Sequence, residues 1–272
     1  MLDARCLMLN APSMGVAPRV NVLGVGISAI NLSQGADLVV RAVEQKHKGY
    51  VAVTNVHGVS EAQSDLKFRE ILNGAYLTTP DGMPMTWIGR LHGFKQMDRV
   101  YGPDLMLEVC RRSADGGIRH FLYGGEGGVA ESLKTTLQRK FPGLCICGTY
   151  TPPFRPLTSE ERFDLIQRLN SARADICWVG ISTPKQEKFM ADLIPDAPVS
   201  LLIGVGAAFD LIPGRVRQAP RWMQRSGLEW LFRLMMEPKR LWRRYVFNNP
   251  LFMFRMLVQL TGLRRYQIRG EE

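Results

Sequence analysis

Short apolar segments alternate with longer segments of helical character along most of the chain, and this alternation limits the fold more than any other feature. The apolar segments are residues 20–27, 50–56, 75–79, 118–123, 144–149, 174–180 and 199–205. Helical patterns cover residues 33–48, 58–73, 84–91, 103–115, a segment ending near 140, 159–171 and 184–193. Nearly continuous apolar strands joined by helices favour a parallel sheet covered on both faces. The sequence therefore predicts an α/β protein with a Rossmann-like, mostly parallel sheet and helices on both faces.

Positive charge is concentrated at the end of the chain. Residues 215–272 hold 13 Lys or Arg against four Asp or Glu, which accounts for +9 of the net charge of +10. Residues 1–214 are close to neutral. This shift predicts three regions: an irregular N-terminal segment at 1–18, an α/β domain at 19–214, and a basic, amphipathic, helical membrane-association appendage at 215–272.

The basic tail, residues 215–272, also carries Trp222, Trp230 and Trp242 among its arginines and leucines. Trp and Arg beside an apolar helix face are typical of a helix that lies in a membrane interface. No segment reaches the about 18–20 apolar residues of a spanning helix, and no secretory signal is evident. We therefore expect peripheral binding to an anionic membrane surface on the cytoplasmic side. Packing of the tail as ordinary helices is the main alternative. Nucleic acid is not an expected partner, because no recognised nucleic-acid fold accompanies the charge.

Polar residues follow two of the predicted strands, at the edge where open parallel sheets bind ligands. Thr54, Asn55 and His57 follow the second strand, where short polar side chains either hydrogen-bond a ligand or cap the next helix. Asp81 follows the third strand and is a candidate general base, metal ligand or helix N-cap. The adjacent Gly82 would let a substrate approach the backbone.

Two further strand ends open into helices. Gly124 and Gly125 begin a Gly-Gly-Glu-Gly-Gly turn whose backbone N–H groups suit a diphosphate, or which is simply a tight turn. Residues 182–188, Ser-Thr-Pro-Lys-Gln-Glu-Lys, place Pro184 at a first helical position. Gln186 in that segment is long enough to reach into a cleft, and a solvated first turn is the alternative.

Several classes of protein are disfavoured by missing patterns. The chain has no Gly-x-Gly-x-x-Gly with a paired ribose-binding acid, which weighs against a dinucleotide oxidoreductase. Its five cysteines show no Cys-x-x-Cys spacing, and no Asp-x-Asp is present. We therefore expect neither a metal nor a cofactor, and reduced thiols in a cytosolic setting.

Seven short motifs punctuate the chain between residues 79 and 233. They are Thr79-Pro-Asp-Gly-Met-Pro84, Arg99-Val-Tyr-Gly-Pro-Asp104, Phe121-Leu-Tyr-Gly-Gly125, Thr183-Pro-Lys-Gln-Glu-Lys188, Gly204-Val-Gly-Ala-Ala-Phe-Asp210, Gly214-Arg-Val-Arg-Gln-Ala-Pro-Arg-Trp222 and Gly227-Leu-Glu-Trp-Leu-Phe-Arg233. In this order they resemble the WecG/TagA/CpsF glycosyltransferases. The resemblance runs from about residue 20 into the tail.

The resemblance implies an inverting, metal-independent transfer of a sugar from a UDP-sugar to a polyprenyl-diphosphate-linked sugar, with the domain at 19–214 as the catalytic one. Asp81 matches the family's proposed base, Arg99 an active-site arginine, and Gln186 a glutamine near the sugar. Tail arginines thought to close over the site and neutralise the diphosphate correspond to Arg233, Arg240 and Arg243.

One departure from the family pattern lies after the second strand. The family's Thr-x-Asn appears here as Thr54-Asn55, with the two residues adjacent. Asn55 keeps the family position, whereas the role of Thr54 stays open. The donor sugar also stays open, since N-acetylmannosamine, its uronic acid and glucose all fit the resemblance.

Taken with the basic tail, the motifs predict a membrane-associated glycosyltransferase that builds a lipid-linked precursor of an exopolysaccharide or other surface glycan. The alternative is a non-catalytic nucleotide-binding regulator that the tail tethers to the membrane. The sequence is compatible with a homo-oligomer but does not fix the oligomeric state.

Overall fold

The computed structural model describes residues 17–268, except for the side chains of Arg240 and Arg244. The strands are β1 (Arg19–Val22), β2 (Val25–Ser28), β3 (Gly49–Thr54), β4 (Leu77–Pro80), β5 (Arg119–Gly124), β6 (Cys145–Tyr150), β7 (Ile176–Gly180) and β8 (Leu201–Gly204). The helices are α1 (Leu32–Glu44), α2 (Val56–Ser64), α3 (Leu66–Gly74), α4 (Met83–Leu91), α5 (Gly102–Ser113), α6 (Val129–Lys140), α7 (Ser159–Ser171), α8 (Lys185–Leu193), α9 (Ala208–Leu211), α10 (Arg221–Arg225), α11 (Glu229–Met236) and α12 (Pro238–Leu260). The irregular segment predicted at 1–18 lies almost entirely outside the described residues.

Six of the strands form one parallel sheet, in the order β4-β3-β8-β7-β5-β6. The register places Gly49 opposite Leu201 and His120 opposite Ile176. β7 and β8 are buried along almost their whole length, as expected for parallel strands with helices packed around them. The predicted α/β, Rossmann-like fold class is therefore confirmed.

The first predicted strand, residues 20–27, is wrong in detail, because the structure has a hairpin there. β1 and β2 pair antiparallel as a separate two-stranded sheet. The chain reverses at Leu23 and Gly24, which have φ angles of 53° and 82°, as a two-residue hairpin turn requires. The apolar run continues across the turn because Leu23 is itself fully buried, so hydrophobicity alone did not mark the reversal.

The single helix predicted at 58–73 is also wrong in detail, because it is two helices, α2 and α3. Asp65 separates them in an extended conformation, and its carboxylate accepts a hydrogen bond from the backbone N–H of Phe68 at 2.9 Å. A carboxylate at an N-cap position satisfies a donor that the helix itself leaves unpaired. The break is therefore a local capping effect inside an otherwise helical pattern.

The chain separates into two compact units. The first unit comprises the residues up to Asn31, Thr54–Tyr101, and the residues from Gln218 onward, and the second comprises Leu32–Val53 and Gly102–Arg217. Each unit presents one group of candidate functional residues, described separately below.

The basic tail is mostly helical, as predicted, and from Gln218 onward it is part of the first unit. Its helix α12 buries Leu241, Phe252 and Met256. Near its end, Gln259 accepts a hydrogen bond from the N–H of Leu23 at 2.8 Å and donates one to the carbonyl of Asn21 at 2.9 Å. None of the helices within residues 17–268 is long and apolar enough to cross a bilayer.

Candidate active site

Asp81 stands directly after β4, at the carboxyl end of the strand. Its backbone N–H donates to the carbonyl of Thr54 at 2.9 Å, which fixes the chain where β4 ends. The helix α4 that follows is capped by Gly82, whose φ of 125° suits glycine, and no side chain caps it. The helix N-cap role considered for Asp81 is therefore wrong, and its carboxylate, 15% exposed, is available for other partners.

Asn55 combines the two roles considered for the residues after the second strand. It is the N-cap of α2, and its Oδ1 accepts hydrogen bonds from the N–H groups of His57 at 3.0 Å and Gly58 at 3.4 Å. Because Oδ1 is used for capping, the amide nitrogen of the same side chain points away from α2. This Nδ2 donates to Asp81 Oδ2 at 3.4 Å. The capping turn thus orients a donor toward the carboxylate.

Thr54 lies beneath these residues. Its side chain is 2% exposed, and its Oγ1 has no hydrogen-bond partner among the described residues. Buried hydroxyl groups are rarely left unpaired. The substrate-binding role predicted for Thr54 stays a prediction.

Arg99 reaches the same carboxylate from the loop before α5. Its guanidinium pairs with Asp81 at 3.5 Å and more closely with Glu229, and it donates to Gln224 Oε1 at 3.3 Å. It also lies over the ring of Tyr101, 4.1 Å from the centroid. Burial alone would lower the pKa of Arg99, but Asp81 and Glu229 outweigh it and the pKa is raised. The guanidinium is therefore held as a permanent positive charge.

Arg233, one of the predicted tail arginines, joins this group from α11. It donates to the hydroxyl of Tyr101 at 3.1 Å and pairs with Glu229 at 2.9 Å. Burial would lower the pKa of Arg233, whereas Tyr101 and Glu229 raise it, and the net shift is upward. The pKa of Tyr101 is raised, first by burial and then by Glu229. We call Asp81, Arg99, Tyr101, Glu229 and Arg233 the charged cluster.

Glu229 is the member of the charged cluster that sequence reasoning missed. Its carboxylate is shared by Arg99 and Arg233. The available signal was an acidic residue within one of the seven motifs, in a tail where acids are scarce. Two arginines converging on one carboxylate mark a place suited to an anion.

A cavity of about 410 Å³ opens beside the charged cluster within the first unit. Asn55, Asp81, Arg99, Glu229 and Arg233 line its polar side. Its size falls in the range of small-molecule sites. The structure thus brings four predicted site residues, Asn55, Asp81, Arg99 and Arg233, around one cavity.

Gln186 belongs to a separate group in the second unit. It is the second residue of α8, and its Nε2 donates to Glu187 Oε1 at 3.0 Å. The hydroxyl of Thr183 donates to the same oxygen at 2.8 Å. Because the amide N–H faces Glu187, the amide oxygen must point the other way. We call Thr183, Gln186 and Glu187 the amide cluster.

The free end of the Gln186 amide faces a glycine. Its Oε1 is buried without a hydrogen-bond partner among the described residues, and it lies 3.5 Å from where a Cβ on Gly206 would stand. The Gln186 side chain is 3% exposed and that of Glu187 is 1% exposed. A buried acceptor without a donor is a place where a ligand donor is expected.

Glu187 is a second residue that sequence reasoning missed, although it lies in the same motif as Gln186. Burial raises its pKa, and the hydrogen bonds from Gln186 and Thr183 oppose that shift without cancelling it. A carboxyl group this buried is uncommon unless it has partners. Its two donors fix the orientation of Gln186.

The glycine-rich turn is shaped first by packing. A Cβ on Gly124, whose φ is 139°, would stand 2.5 Å from the carbonyl oxygen of Gly180, and one on Gly125 would meet Val129. The N–H of Gly125 donates to that same Gly180 carbonyl at 3.1 Å. This N–H is thus already used, and the predicted diphosphate contact through Gly124 and Gly125 stays a prediction.

Of the other two predicted tail arginines, only the Arg243 side chain is among the described ones, and it is not a member of the charged cluster. Arg243 is exposed on α12, and its guanidinium carbon lies 5.4 Å from the centroid of the Trp242 ring. The side chain of Arg240 lies outside the described residues.

No group of three or more His, Cys, Asp or Glu within residues 17–268 has the geometry to hold a metal ion. The cysteines of this range, Cys110, Cys145, Cys147 and Cys177, are free thiols.

The chain matches a model of a known protein family. A model of the family described as "Glycosyl transferase WecG/TagA/CpsF family" matches residues 20–266. The match includes every residue of the charged cluster and of the amide cluster.

Proposed function

Because this chain belongs to the WecG/TagA/CpsF family of glycosyltransferases, we propose that it transfers a sugar from a UDP-sugar to a polyprenyl-diphosphate-linked sugar, with inversion and without a metal ion. The observation that carries this proposal is the charged cluster. It places two carboxylates and two arginines beside a cavity of about 410 Å³.

Asp81 is the proposed general base. The acceptor hydroxyl gives its proton to the Asp81 carboxylate as its oxygen bonds to the anomeric carbon of the donor. The bond from that carbon to UDP breaks on the opposite face, so the configuration inverts. A base must lie within hydrogen-bond reach of the proton that it takes, and Asp81 lines the cavity. The Asn55 amide at 3.4 Å holds the carboxylate in place.

Arg99 and Arg233 are the proposed charge-stabilising groups. As UDP departs, negative charge grows on its diphosphate, and fixed positive groups lower the energy of that state. Both guanidinium groups pair with Glu229. We expect the diphosphate to compete with Glu229 for them, so Glu229 keeps the two arginines together until the substrate arrives.

The amide cluster is the proposed sugar-recognition group. Gln186 Oε1 can only accept, so it suits a sugar hydroxyl or an acetamido N–H. Donors of the N-acetylmannosamine type, its uronic acid and glucose each offer such a group. Thr54, Gly124 and Gly125 are kept as proposed donor contacts.

The tail is the proposed attachment to the cytoplasmic face of the membrane. Phe247, Leu251 and Phe254 share one face of α12, and they are 62%, 44% and 63% exposed. Arg243 and Arg255 lie on the same helix. Anionic lipid contributes about 1 kcal/mol per basic residue near the surface, so this helix suits reversible binding. Such a location fits the synthesis of a lipid-linked precursor of an exopolysaccharide or other surface glycan.

A turnover screen tests the proposal. Purified protein would be incubated with UDP-sugars and polyprenyl-diphosphate-linked acceptors, with UDP release and product mass measured and the anomeric configuration read by NMR. We expect one donor to give a product of inverted configuration in the presence of EDTA. UDP-sugar binding without turnover for any pair would favour the non-catalytic regulator instead.

A further inference from the structure

The cavity beside the charged cluster has an aromatic side that the reaction described above does not use. Trp87 from α4, Trp230 from α11 and Tyr245 from α12 line it, together with Asn248 and Asn249 of α12. Three aromatic rings from three helices thus surround the same space as Asp81.

A glycine leaves room for Trp87 in this position. A Cβ on Gly227 would stand 2.9 Å from the Trp87 ring, closer than real Cβ contacts, and Gly227 has a φ of 77°. Both the close approach and the positive φ favour glycine here. Trp87 is nevertheless 46% exposed, so much of the side chain stays open to a ligand although Gly227 packs against its ring.

Trp230 and Tyr245 contribute two further rings to the cavity lining. Their ring centroids lie 5.7 Å apart at an interplanar angle of 55°, and Trp230 is 38% exposed. Of the three tail tryptophans, only Trp230 lines this cavity. Trp222 and Trp242 do not line this cavity, and Trp242 lies beside Phe247, with 6.4 Å between the ring centroids.

We propose that the aromatic side of this cavity is the subsite for the acceptor sugar, an inference that rests on the proposed function. The face of a pyranose that carries axial C–H bonds is apolar and packs on the electron-rich face of an aromatic ring. The ring hydroxyls and any acetamido group need donors and acceptors at the edge, which amide side chains supply. Trp87, Trp230 and the two asparagines provide this combination.

The position of Asp81 favours a sugar over a lipid chain in this space. A general base acts on a hydroxyl within hydrogen-bond reach, and Asp81 lines the same cavity. A polyprenyl chain has no hydroxyl and no use for paired amides. A uracil ring would also stack and pair with amides, so the test must separate the sugar from the nucleotide.

Binding of soluble acceptor analogues tests the subsite. The probes are short-chain alkyl diphosphates carrying glucose or N-acetylglucosamine, the same alkyl diphosphate without a sugar, and UDP, each titrated by calorimetry. The variants are Trp230→Ala and Trp87→Ala, with Trp230→Phe as the conservative replacement. Trp222→Ala is the matched control, since Trp222 is on the tail, is 64% exposed and does not line the cavity.

We expect Trp230→Ala and Trp87→Ala to weaken binding of one glycosyl alkyl diphosphate at least tenfold, with unchanged UDP binding. Trp230→Phe should retain most of the affinity, and Trp222→Ala all of it. Equal loss of UDP affinity would overturn the proposal in favour of a nucleotide subsite. Equal wild-type affinity for the sugar-free probe would overturn it in favour of a lipid groove. Normal glycosyl binding without turnover would refute the proposed function while leaving the subsite in place.

Discussion

The charged cluster and the amide cluster both contain carboxyl groups, but the partners of those carboxyl groups differ. In the charged cluster two carboxylates and two guanidinium groups pair with one another beside an open cavity. In the amide cluster one carboxyl group is almost completely buried and faces an amide and a hydroxyl, with no cation among the contacts described. The charged cluster therefore stabilises charged groups, and the amide cluster fixes the orientation of the Gln186 amide.

This difference follows from the cost of burying charge. A charged group removed from water needs a partner of opposite charge or several hydrogen bonds, and the charged cluster supplies such partners through Glu229. A neutral amide needs only a matching donor or acceptor, and leaving one unpaired costs about 1–3 kcal/mol. Charge therefore suits the step in which a diphosphate departs, and the fixed amide suits recognition of a sugar hydroxyl or an acetamido N–H.

Apart from loss of the proposed base itself, the largest effect should come from removing a permanent charge. Arg99→Gln leaves Asp81 and Glu229 without their shared cation, and we expect kcat to fall about 100-fold to 1,000-fold, the usual loss for one charge-stabilising group. Steady-state kinetics measure this. Arg90→Gln is the control, because Arg90 pairs with Asp98 at the surface and is 44% exposed. A loss confined to KM would contradict the assigned role.

Substitutions in the amide cluster should change the affinity for the UDP-sugar and leave kcat almost unchanged. Glu187→Ala frees the Gln186 amide to rotate, and we expect KM for the UDP-sugar to rise roughly tenfold, the equivalent of one buried hydrogen bond. UDP affinity and kcat should change little. Glu187→Gln should restore most of the loss, since its side-chain oxygen can still accept from Gln186 and Thr183.

Glu160→Ala, at an exposed position on α7, is the control for that experiment. If Glu187→Ala lowered only thermal stability and left KM for the sugar donor unchanged, Glu187 would be a purely structural residue.

Glu229 allows the ion pairing inside the charged cluster to be weakened without removing an arginine. Glu229→Gln removes the carboxylate that Arg99 and Arg233 share, so both guanidinium groups are freer to bind an anion. We expect UDP to bind several-fold tighter, with a steeper dependence on salt, and the folded protein to be less stable. Calorimetry at two salt concentrations measures the affinity, and weaker UDP binding would show that Glu229 does not compete with the diphosphate.

The smallest effect on chemistry should come from the exposed face of α12. Replacing Phe247 and Phe254 by Ser should lower partitioning onto anionic vesicles and leave kcat with a soluble acceptor within about twofold, since neither residue lines the cavity. Vesicle flotation and a soluble assay measure the two effects separately. Loss of soluble activity would instead tie this face to the site.

The sequence could predict the sheet and the residues that follow its strands. Continuous apolar runs marked the parallel strands, and strand-end positions drew attention to Asn55 and Asp81. The hairpin at Gly24 was missed because both of its strands and its turn are buried, so no polar residue marked the reversal. The break at Asp65 was missed because a single capping residue inside a helical pattern gives little signal.

The tail shows why the rest of the site could not be read from the sequence. Charge counting treats residues 215–272 as one basic region, but only the folded helices separate Arg233, which meets Tyr101, from Arg243, which is exposed. The same holds for Trp230 and Trp242. Glu229 was passed over because an acid among arginines suggests a surface ion pair until the two arginines are seen to share it.

The role of the charged cluster in the chemistry is tested most directly with Asp81→Asn. Its transfer rate and its affinity for the UDP-sugar would each be compared with those of wild type. Asparagine keeps the size and hydrogen bonding of the side chain but cannot take a proton at the pH of the assay. We predict loss of at least about 1,000-fold in kcat, within the range for a general base that also lies beside developing charge, with donor affinity within twofold of wild type. Asp164→Asn, at an exposed position on α7, should match wild type in both. Near-normal transfer by Asp81→Asn would contradict the claim that the charged cluster carries the chemistry.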